Sequence, residues 1–330
     1  MEHGAGTIRW GILGTGRIAD KFAGDLALAE GAAAVAVGSR SRESAEHFAR
    51  RHGIPKAYGS YDELVRDPDV DIVYVATPHP MHKENALLCL GAGKAVLCEK
   101  PLTVNAAEAE ELIRAAREKK IFLMEGMWTR HLPAIRKVRN WLEEGRIGEV
   151  QLLEADFGFR TAWNPEGRWL NPELGGGALL DVGIYPVSLA SMIFGGPPSR
   201  IDSFAHIGET GVDERFSLLF AYDGGKAAQL GGAVRLELGC EARIYGTKGV
   251  IRIPDFFRAK RAELRVHGEA EELFEYKGER EGFAYEAEEA GRCLREGLIE
   301  SPVMPLDESL AIMRTMDEIR RQWGLVFPFE

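Results

Sequence analysis

The sequence has few cysteines, no excess of positive charge, and no internal repeat or low-complexity segment. Its four cysteines are scattered, with neither a CxxC pair nor a zinc-like spacing: Cys89, Cys98, Cys240 and Cys293. We therefore expect reduced core thiols in a cytoplasmic protein, without a metal site. The formal net charge of −10 argues against a nucleic-acid-binding protein and against a polybasic membrane surface.

The chain also lacks obvious targeting segments. Met1 to Gly4 shows no basic region before an apolar run, so we expect no signal peptide. We see no apolar stretch long enough to span a membrane. With 330 residues, of which 45% are hydrophobic and 28% charged, the composition is that of a globular protein with two domains.

A glycine-rich turn follows the first predicted strand, Ile8 to Leu13. Gly14, Gly16 and Ala19 match the G-x-G-x-x-G/A pattern, in which glycines let the backbone approach a pyrophosphate at a helix N-terminus. An ordinary glycine-rich turn without a ligand has the same residue pattern, so the motif alone is weak evidence for a dinucleotide site. The predicted cofactor contacts of this turn are Gly14, Thr15, Gly16, Arg17 and Ile18.

The second predicted strand, Ala33 to Gly38, ends in Ser39, Arg40 and Ser41. NAD-binding domains usually place an acidic residue here to hold the ribose 2′-hydroxyl. A serine hydroxyl and a guanidinium suit a 2′-phosphate instead, so Ser39 and Arg40 predict NADP, with NAD as the alternative. Arg40 is otherwise simply the exposed start of the next helix.

Two further predicted strands end in polar side chains. Asp71 to Ala76 leads into a loop expected near the nicotinamide, with Thr77, Pro78 and His82 as cofactor contacts; His82 also suits a structural role at a helix start. The apolar run before Glu99 and Lys100 predicts a buried strand whose carboxyl end reaches the ligand-binding edge of the sheet, so Glu99 and Lys100 are also predicted cofactor contacts. The alternative for this pair is a solvated ion pair in a turn.

The alternation of strands and helices predicts a doubly wound parallel sheet, a Rossmann domain over residues 1–128. Beyond it, strand signals dominate, so residues 129–330 are predicted to form a domain with a large, mostly antiparallel sheet and flanking helices. An open face of that sheet predicts a homo-oligomer, the alternative being that helices cover it. The final helix, 306–323, is expected either to close this domain or to pack back on the first.

The predicted chemistry of the second domain lies between its first two strands. Three glycines at 175–177 precede Asp181 and Tyr185, which are four residues apart and share a face if the segment is helical. Pro186 predicts a kink just beyond them. This polar pair in an apolar segment indicates a desolvated site; a flexible turn and a hydrogen-bonded core tyrosine are the alternatives.

The glycine fingerprint, the Glu99-Lys100-Pro101 triplet and the run from Gly175 to Tyr185 occur in the order seen in the Gfo/Idh/MocA oxidoreductase family, which the chain resembles over nearly its whole length. Many members carry histidine where this chain has Tyr185. Tyrosine there is more similar to the branch of dimeric dihydrodiol dehydrogenases and NADP-dependent D-xylose 1-dehydrogenases.

The resemblance implies reversible hydride transfer between NADP and a hydroxyl-bearing carbon of a sugar or a cyclic diol. It implies Tyr185 as general acid/base, Lys100 as the cation that lowers its pKa, and Asp181 as an orienting group. The implied pocket walls are Trp128, Arg130, Phe159, Trp163, Arg168 and Trp169.

Two other functions fit the same fold. A hydrolase or epimerase with tightly bound NAD(P) uses the cofactor transiently, and a dinucleotide-sensing regulator does no chemistry. The presence of both Lys100 and Tyr185 disfavours the regulator.

Overall fold

The computed structural model describes residues 6–330. Its strands are β1 (Ile8–Leu13), β2 (Ala32–Gly38), β3 (Lys56–Tyr58), β4 (Ile72–Val75), β5 (Ala95–Glu99), β6 (Leu123–Gly126), β7 (Val150–Gly158), β8 (Arg200–Ile207), β9 (Asp213–Ala221), β10 (Ala227–Ala233), β11 (Ala242–Gly246), β12 (Gly249–Ile253), β13 (Arg261–Val266) and β14 (Glu272–Glu275). Its α-helices are α1 (Arg17–Leu26), α2 (Arg42–His52), α3 (Tyr61–Val65), α4 (His82–Gly91), α5 (Ala106–Lys119), α6 (Pro133–Glu143), α7 (Ile184–Phe194), α8 (Phe283–Arg295) and α9 (Leu306–Trp323). The prediction about a signal peptide concerns Met1 to Gly4, which lie outside the described residues.

The chain divides into two compact units. The first comprises the chain up to Trp128 and Glu279–Leu310, and the second comprises Thr129–Gly278 and Ala311–Glu330. The sequence analysis had placed residues 279–310 in the second domain. They lie in the first unit because the Asp25 carboxylate, at the end of α1, accepts hydrogen bonds from backbone N–H groups at the start of α8.

The sheet of the first unit is parallel, with the strand order β3-β2-β1-β4-β5-β6. This order confirms the predicted doubly wound sheet. Every residue of β5 is buried, as expected for a central parallel strand covered on both faces. The order reverses between β1 and β4, and in such sheets the carboxyl ends of the strands around that point form the ligand crevice.

The sheet of the second unit has eight strands in the order β14-β13-β12-β11-β7-β10-β9-β8. Among the described strand pairs of this second sheet, only β7 and β10 run parallel, which confirms the predicted mostly antiparallel sheet. The sequence analysis missed β14 because it is four residues long and bounded by acidic residues.

One face of this sheet is buried and the other is open. Along β9 the residues alternate, so that Phe216, Leu218 and Phe220 are buried while Leu219 is exposed. The helical segment Pro172–Phe194 supplies part of the core. By length and apolar composition that segment would suffice to cross a membrane, which the sequence analysis did not expect, but 72% of its most apolar window is buried inside the protein.

Candidate functional site

The turn between β1 and α1 has the shape that a dinucleotide phosphate requires. Gly14 has φ +107°, and a Cβ there would lie 3.1 Å from the carbonyl oxygen of Ala76. A Cβ on Gly16 would meet nothing within 4 Å, so the space outside this glycine is open. Gly16 is the N-cap of α1 and offers no side-chain acceptor to the first N–H groups of the helix. The turn therefore fits an anion held by backbone N–H groups and the helix dipole.

The remaining predicted residues of this turn surround that space. Thr15 is half-buried, and its hydroxyl lies 3.4 Å from the hydroxyl of Ser39 at the end of β2. Arg17 and Ile18 are the first two residues of α1, and Arg17 is exposed.

The end of β2 carries a cation and no carboxylate. Ser39 is buried, whereas Arg40 is exposed. Burial raises the pKa of the Tyr61 phenol, and the charge of Arg40 and its hydrogen bond to this phenol oppose that rise. The Ser41 hydroxyl accepts a hydrogen bond from the N–H of Ser44 and caps α2. A guanidinium in contact with solvent is thus presented where a ribose 2′-phosphate is expected.

The loop after β4 is fixed by a buried histidine. His82 is fully buried, with Nδ1 lying 2.8 Å from the carbonyl oxygen of Pro101 and Nε2 lying 2.9 Å from that of Thr77. The Thr77 hydroxyl also accepts a hydrogen bond from Asn85. Pro78 begins the single turn that leads into α4. His82 therefore links the loops that follow β4 and β5, in agreement with the structural role that was the alternative for this residue. A contact between His82 and a cofactor stays a prediction.

Glu99 and Lys100 stand at the carboxyl end of β5, and both are buried. The carboxylate of Glu99 accepts hydrogen bonds from the Tyr74 hydroxyl on β4 and from the backbone N–H of Lys100. The peptide bond from Lys100 to Pro101 is cis. Lys100 is thus buried at the ligand-binding edge of a parallel sheet. The alternative, a solvated ion pair of Glu99 and Lys100 in a turn, does not fit this burial.

A stack of aromatic rings backs this corner of the first unit. Trp128, predicted as a pocket wall, stacks on Phe283 at the start of α8, with ring centroids 5.0 Å apart. Phe22 lies edge-on to Phe283 and stacks on Tyr74 at 3.6 Å. The sequence analysis missed Phe283 because nothing in the letters of α8 distinguishes it from an ordinary amphipathic helix.

In the second unit Tyr185 lies in the first turn of α7. It is 7% exposed, and Phe157 and Phe257 lie edge-on to its ring, with centroids 5.3 and 6.0 Å away. Residues 179–183 form a π-helical turn that leads directly into α7. Pro186 falls three residues after the π turn, in the first turn of α7. Because of the π turn, the predicted α-helical spacing of Asp181 and Tyr185 does not apply.

The segment that leads to Tyr185 is held by a buried carboxyl group, Asp213, which the sequence analysis missed. Its Oδ2 accepts a hydrogen bond of 2.7 Å from the N–H of Leu179. A Cβ on Gly177, which has φ +116°, would lie 2.2 Å from Asp213 Oδ1, so only glycine fits there. Burial raises the pKa of Asp213 to about 7, although the N–H groups of Leu179 and Ala178 favour its ionised form.

Asp181 organises two of the predicted pocket walls. Its Oδ1 accepts a hydrogen bond of 2.9 Å from Arg168, and its Oδ2 accepts one of 2.8 Å from the indole N–H of Trp169. Phe159 lies edge-on to Trp169 at 5.2 Å. The structure thus brings Asp181, Arg168, Trp169 and Phe159 into one cluster.

The other two predicted walls of the second unit lie elsewhere. Arg130 is 3% exposed, and its guanidinium donates hydrogen bonds to the hydroxyl and carbonyl oxygens of Ser188, one turn beyond Tyr185. Trp163 is 47% exposed, and the guanidinium of Arg235 lies over its ring. Arg130 therefore stabilises α7 through Ser188. That Arg130 and Trp163 line a substrate pocket stays a prediction.

Phe157 and Phe257 complete the aromatic surroundings of Tyr185, and the sequence analysis missed both. Their rings stack with centroids 3.9 Å apart. Phe157 was detectable, since it lies near the end of β7, two residues before Phe159, and alternate residues of an extended chain point to the same face. Phe257 follows the buried Phe256 in a short turn, and nothing local marks it as part of a site. Among the described residues, no group of histidine, cysteine, aspartate or glutamate side chains is arranged to hold a metal ion.

Comparison with known families decides the class of protein. The Gfo/Idh/MocA model described as an oxidoreductase family with an NAD-binding Rossmann fold matches residues 8–127. The model of the Gfo/Idh/MocA C-terminal domain matches residues 135–252. The chain belongs to the Gfo/Idh/MocA family. It is accordingly an NAD(P)-dependent oxidoreductase, and the resemblance found in its motifs is confirmed.

Relatives within the Gfo/Idh/MocA family match nearly the whole chain. Trans-1,2-dihydrobenzene-1,2-diol dehydrogenase of Xenopus laevis is 42% identical over 331 residues, which is 97% of this chain and 99% of the relative. The mouse (Mus musculus) enzyme of the same name is 43% identical, over 97% of this chain and 98% of its own.

Two solved structures share the fold of this chain. The 3-ketoreductase from Actinomadura kijaniata, in complex with NADP and TDP-benzene, is 28% identical with a TM-score of 0.83, covering 95% of this chain and 97% of its own. An aldose-aldose oxidoreductase from Caulobacter crescentus, complexed with glycerol, is 25% identical with a TM-score of 0.87, covering 96% and 98%.

Proposed function

We propose that this chain is an NADP-dependent dehydrogenase that oxidises a secondary hydroxyl of a cyclic trans-diol. The observation that carries the proposal is the similarity of more than 40% identity, over 97% of the chain, to dehydrogenases named for trans-1,2-dihydrobenzene-1,2-diol. An aldose is the second candidate substrate, because the aldose-aldose oxidoreductase shares the fold over 96% of the chain.

NADP is the proposed cofactor. The turn at Gly14 and Gly16 and the open N-terminus of α1 suit its pyrophosphate, and Arg40, beside the buried Ser39, suits its 2′-phosphate. The 3-ketoreductase was solved with NADP, which supports the same choice here. When bound, this cofactor accepts the hydride that the substrate carbon gives up.

Tyr185 is the proposed general acid/base. Oxidation of a hydroxyl to a carbonyl releases one proton from the oxygen, and a phenolate is a suitable acceptor for it. A free tyrosine has a pKa of about 10, so a cation must favour its ionised form near neutral pH. Lys100 is the proposed cation, and Asp181 is the proposed support for the substrate side, since it fixes Arg168 and Trp169.

The choice of a lysine and a tyrosine is supported by the solved 3-ketoreductase. Its structures include one variant with a tyrosine replaced by phenylalanine and another with a lysine replaced by alanine, both with NADP and TDP-benzene. The corresponding residue types in this chain, Tyr185 and Lys100, are therefore the ones to substitute.

The test combines a substrate panel with two variants. NADPH formation is followed with trans-dihydrodiols and aldoses, each with NADP and NAD. We expect turnover with a trans-diol and NADP, and a 10²- to 10⁴-fold lower kcat in Tyr185→Phe, the usual contribution of general acid/base catalysis. Lys100→Met should lower kcat as well and shift its pH optimum upward. NADP affinity in Tyr185→Phe should equal that of the wild type.

Tyr222→Phe is the matched control, because it removes a phenol hydroxyl elsewhere in the second unit, where the ring stacks on Phe194. It should turn over like the wild type. Full activity of Tyr185→Phe would overturn the assignment of the acid/base. Turnover only with aldoses would move the substrate to the second candidate.

A homodimer through the open face of the second sheet completes the proposal. Phe204 on β8 and Leu219 on β9 point to that face, and they are 68% and 45% exposed. Exposed apolar side chains on an open sheet are typical of an interface. In analytical ultracentrifugation the wild type should sediment as a dimer and Phe204→Glu as a monomer. A monomeric wild type would contradict the proposed homodimer. The unpaired state of the four cysteines supports a reducing, cytoplasmic location.

A further inference from the structure

Glu286 in the first unit is a buried acid with no role in the mechanism so far. It lies in the first turn of α8 and has no solvent exposure. Neither of its carboxyl oxygens has a hydrogen-bond partner in the part of the chain that the structure describes. A buried ionised carboxylate without a partner is costly, so such a group either is neutral or serves a function.

The carboxyl group of Glu286 is aimed at the end of β5. A Cβ built on Gly126 of β6 would lie 3.5 Å from Glu286 Oε2 and 3.5 Å from the Cα of Glu99. Gly126 and Glu99 are paired in the sheet. Both are ordinary van der Waals distances, so Glu286 Oε2 and the Cα of Glu99 approach the same point beside Gly126.

Two acids on neighbouring elements act on the carboxyl group of Glu286. Burial, followed by the negative charges of Glu99 on β5 and Asp25 on α1, raises the pKa of Glu286 well above its ordinary value. The hydroxyl of Tyr74 on β4 donates a hydrogen bond to the carboxylate of Glu99. Glu125 on β6 precedes Gly126, so its side chain leaves the opposite face of the strand, where it accepts the N–H of Leu102.

We propose that Glu286 is a positioning residue for Lys100, an acid that stays neutral beside Glu99 at the end of β5. This inference rests on the proposed function of Lys100. Glu99 accepts hydrogen bonds from Tyr74 and from the N–H of Lys100. Ionisation of Glu286 would place a second negative charge near Glu99, and their repulsion would displace the backbone that carries Lys100. Glu286 thus sets an upper pH limit for the enzyme.

The experiment joins a spectroscopic and a kinetic measurement on the full chain. Infrared difference spectra of wild type minus Glu286→Gln report the C=O stretch of a protonated carboxyl group, which is separate from the bands of a carboxylate. The pH profile of kcat/KM is recorded for both proteins with the substrate found in the panel. Glu296→Gln is the control, because Glu296 is an exposed acid at the other end of the same helix.

We expect a protonated carboxyl band at neutral pH in the wild type and in Glu296→Gln. This band should disappear at alkaline pH with the same midpoint as the loss of kcat/KM. Beyond that midpoint the wild type should lose about tenfold in kcat/KM for each pH unit, and Glu286→Gln less than twofold.

Two results overturn the inference: the absence of the protonated band at neutral pH, or an alkaline loss that persists in Glu286→Gln. Glu286→Met, which is neutral and of similar size, replaces the glutamine variant if that does not fold, with the same expected profile. Absence of turnover in every protein, with the band present, counts against the proposed function and not against the neutral state of Glu286.

Discussion

Asp213 should make the stability of the enzyme depend on pH in a direction that is unusual for an acid. Burial raises its pKa to about 7 in the folded protein, from an ordinary value of 3.8. The folded state therefore binds this proton more tightly than the unfolded state does. The stabilisation from Asp213 is complete below pH about 4, declines as the pH rises, and is lost above pH about 7.

The size of this effect follows from the shift. A shift of about three pH units at 1.36 kcal/mol per unit corresponds to about 4 kcal/mol between pH 4 and pH 7. No discount for solvent applies, because Asp213 is 1% exposed. Asp213→Asn has nearly the same shape and does not titrate, and its amide oxygen still accepts the N–H of Leu179.

The assay is guanidinium unfolding of wild type and Asp213→Asn from pH 4 to pH 8, followed by tryptophan fluorescence. We expect the free energy of unfolding of the wild type, relative to the variant, to fall by about 4 kcal/mol over this range. A difference that stays constant with pH, or one that grows toward pH 8, would refute the reasoning. Asp223→Asn, in an exposed turn of the same unit, is the control and should follow the wild type.

Three other substitutions test single contacts. Arg40→Ala should raise KM for NADP at least tenfold through the loss of charge-assisted hydrogen bonds, and leave KM for NAD nearly unchanged; equal changes for both cofactors would remove Arg40 from the 2′-phosphate site. Gly14→Ala, at φ +107° and 3.1 Å from the carbonyl oxygen of Ala76, should cost about 1–3 kcal/mol of stability and weaken NADP binding, which calorimetry measures. Ser188→Ala removes two hydrogen bonds of Arg130 and should lower stability by about 1.5 kcal/mol in thermal unfolding; no change means that the carbonyl contact suffices.

The first unit was largely predictable because its signals are local. The glycines after β1, the absence of an acid after β2 and the charged pair after β5 each lie within a few residues of a strand end. In a parallel sheet those ends share one edge, so strand order alone brings the residues together. The predicted sheet and cofactor turn followed from that rule.

The missed residues depend on long-range packing. Glu286 is one of several glutamates in α8, and nothing in their spacing shows that this one is buried against Gly126. Asp213 precedes a strand like any loop acid, and its role arises only when β9 brings it to Leu179. Pro186 did signal an irregularity, but a proline cannot distinguish a kink from a π turn that ends before it.

The return of Glu279–Leu310 to the first unit has a consequence for biosynthesis. About 155 residues separate Trp128 from Phe283, the first residue of α8, and the whole second sheet is encoded between them. At ribosomal rates of about 5–20 residues per second, α8 is therefore synthesised on the order of 8–30 s after the last strand of the Rossmann sheet. During that interval the ring of Phe22 lacks Phe283 and the Asp25 carboxylate lacks the N–H groups that it caps. The first unit therefore cannot complete its core until most of the second unit has been synthesised.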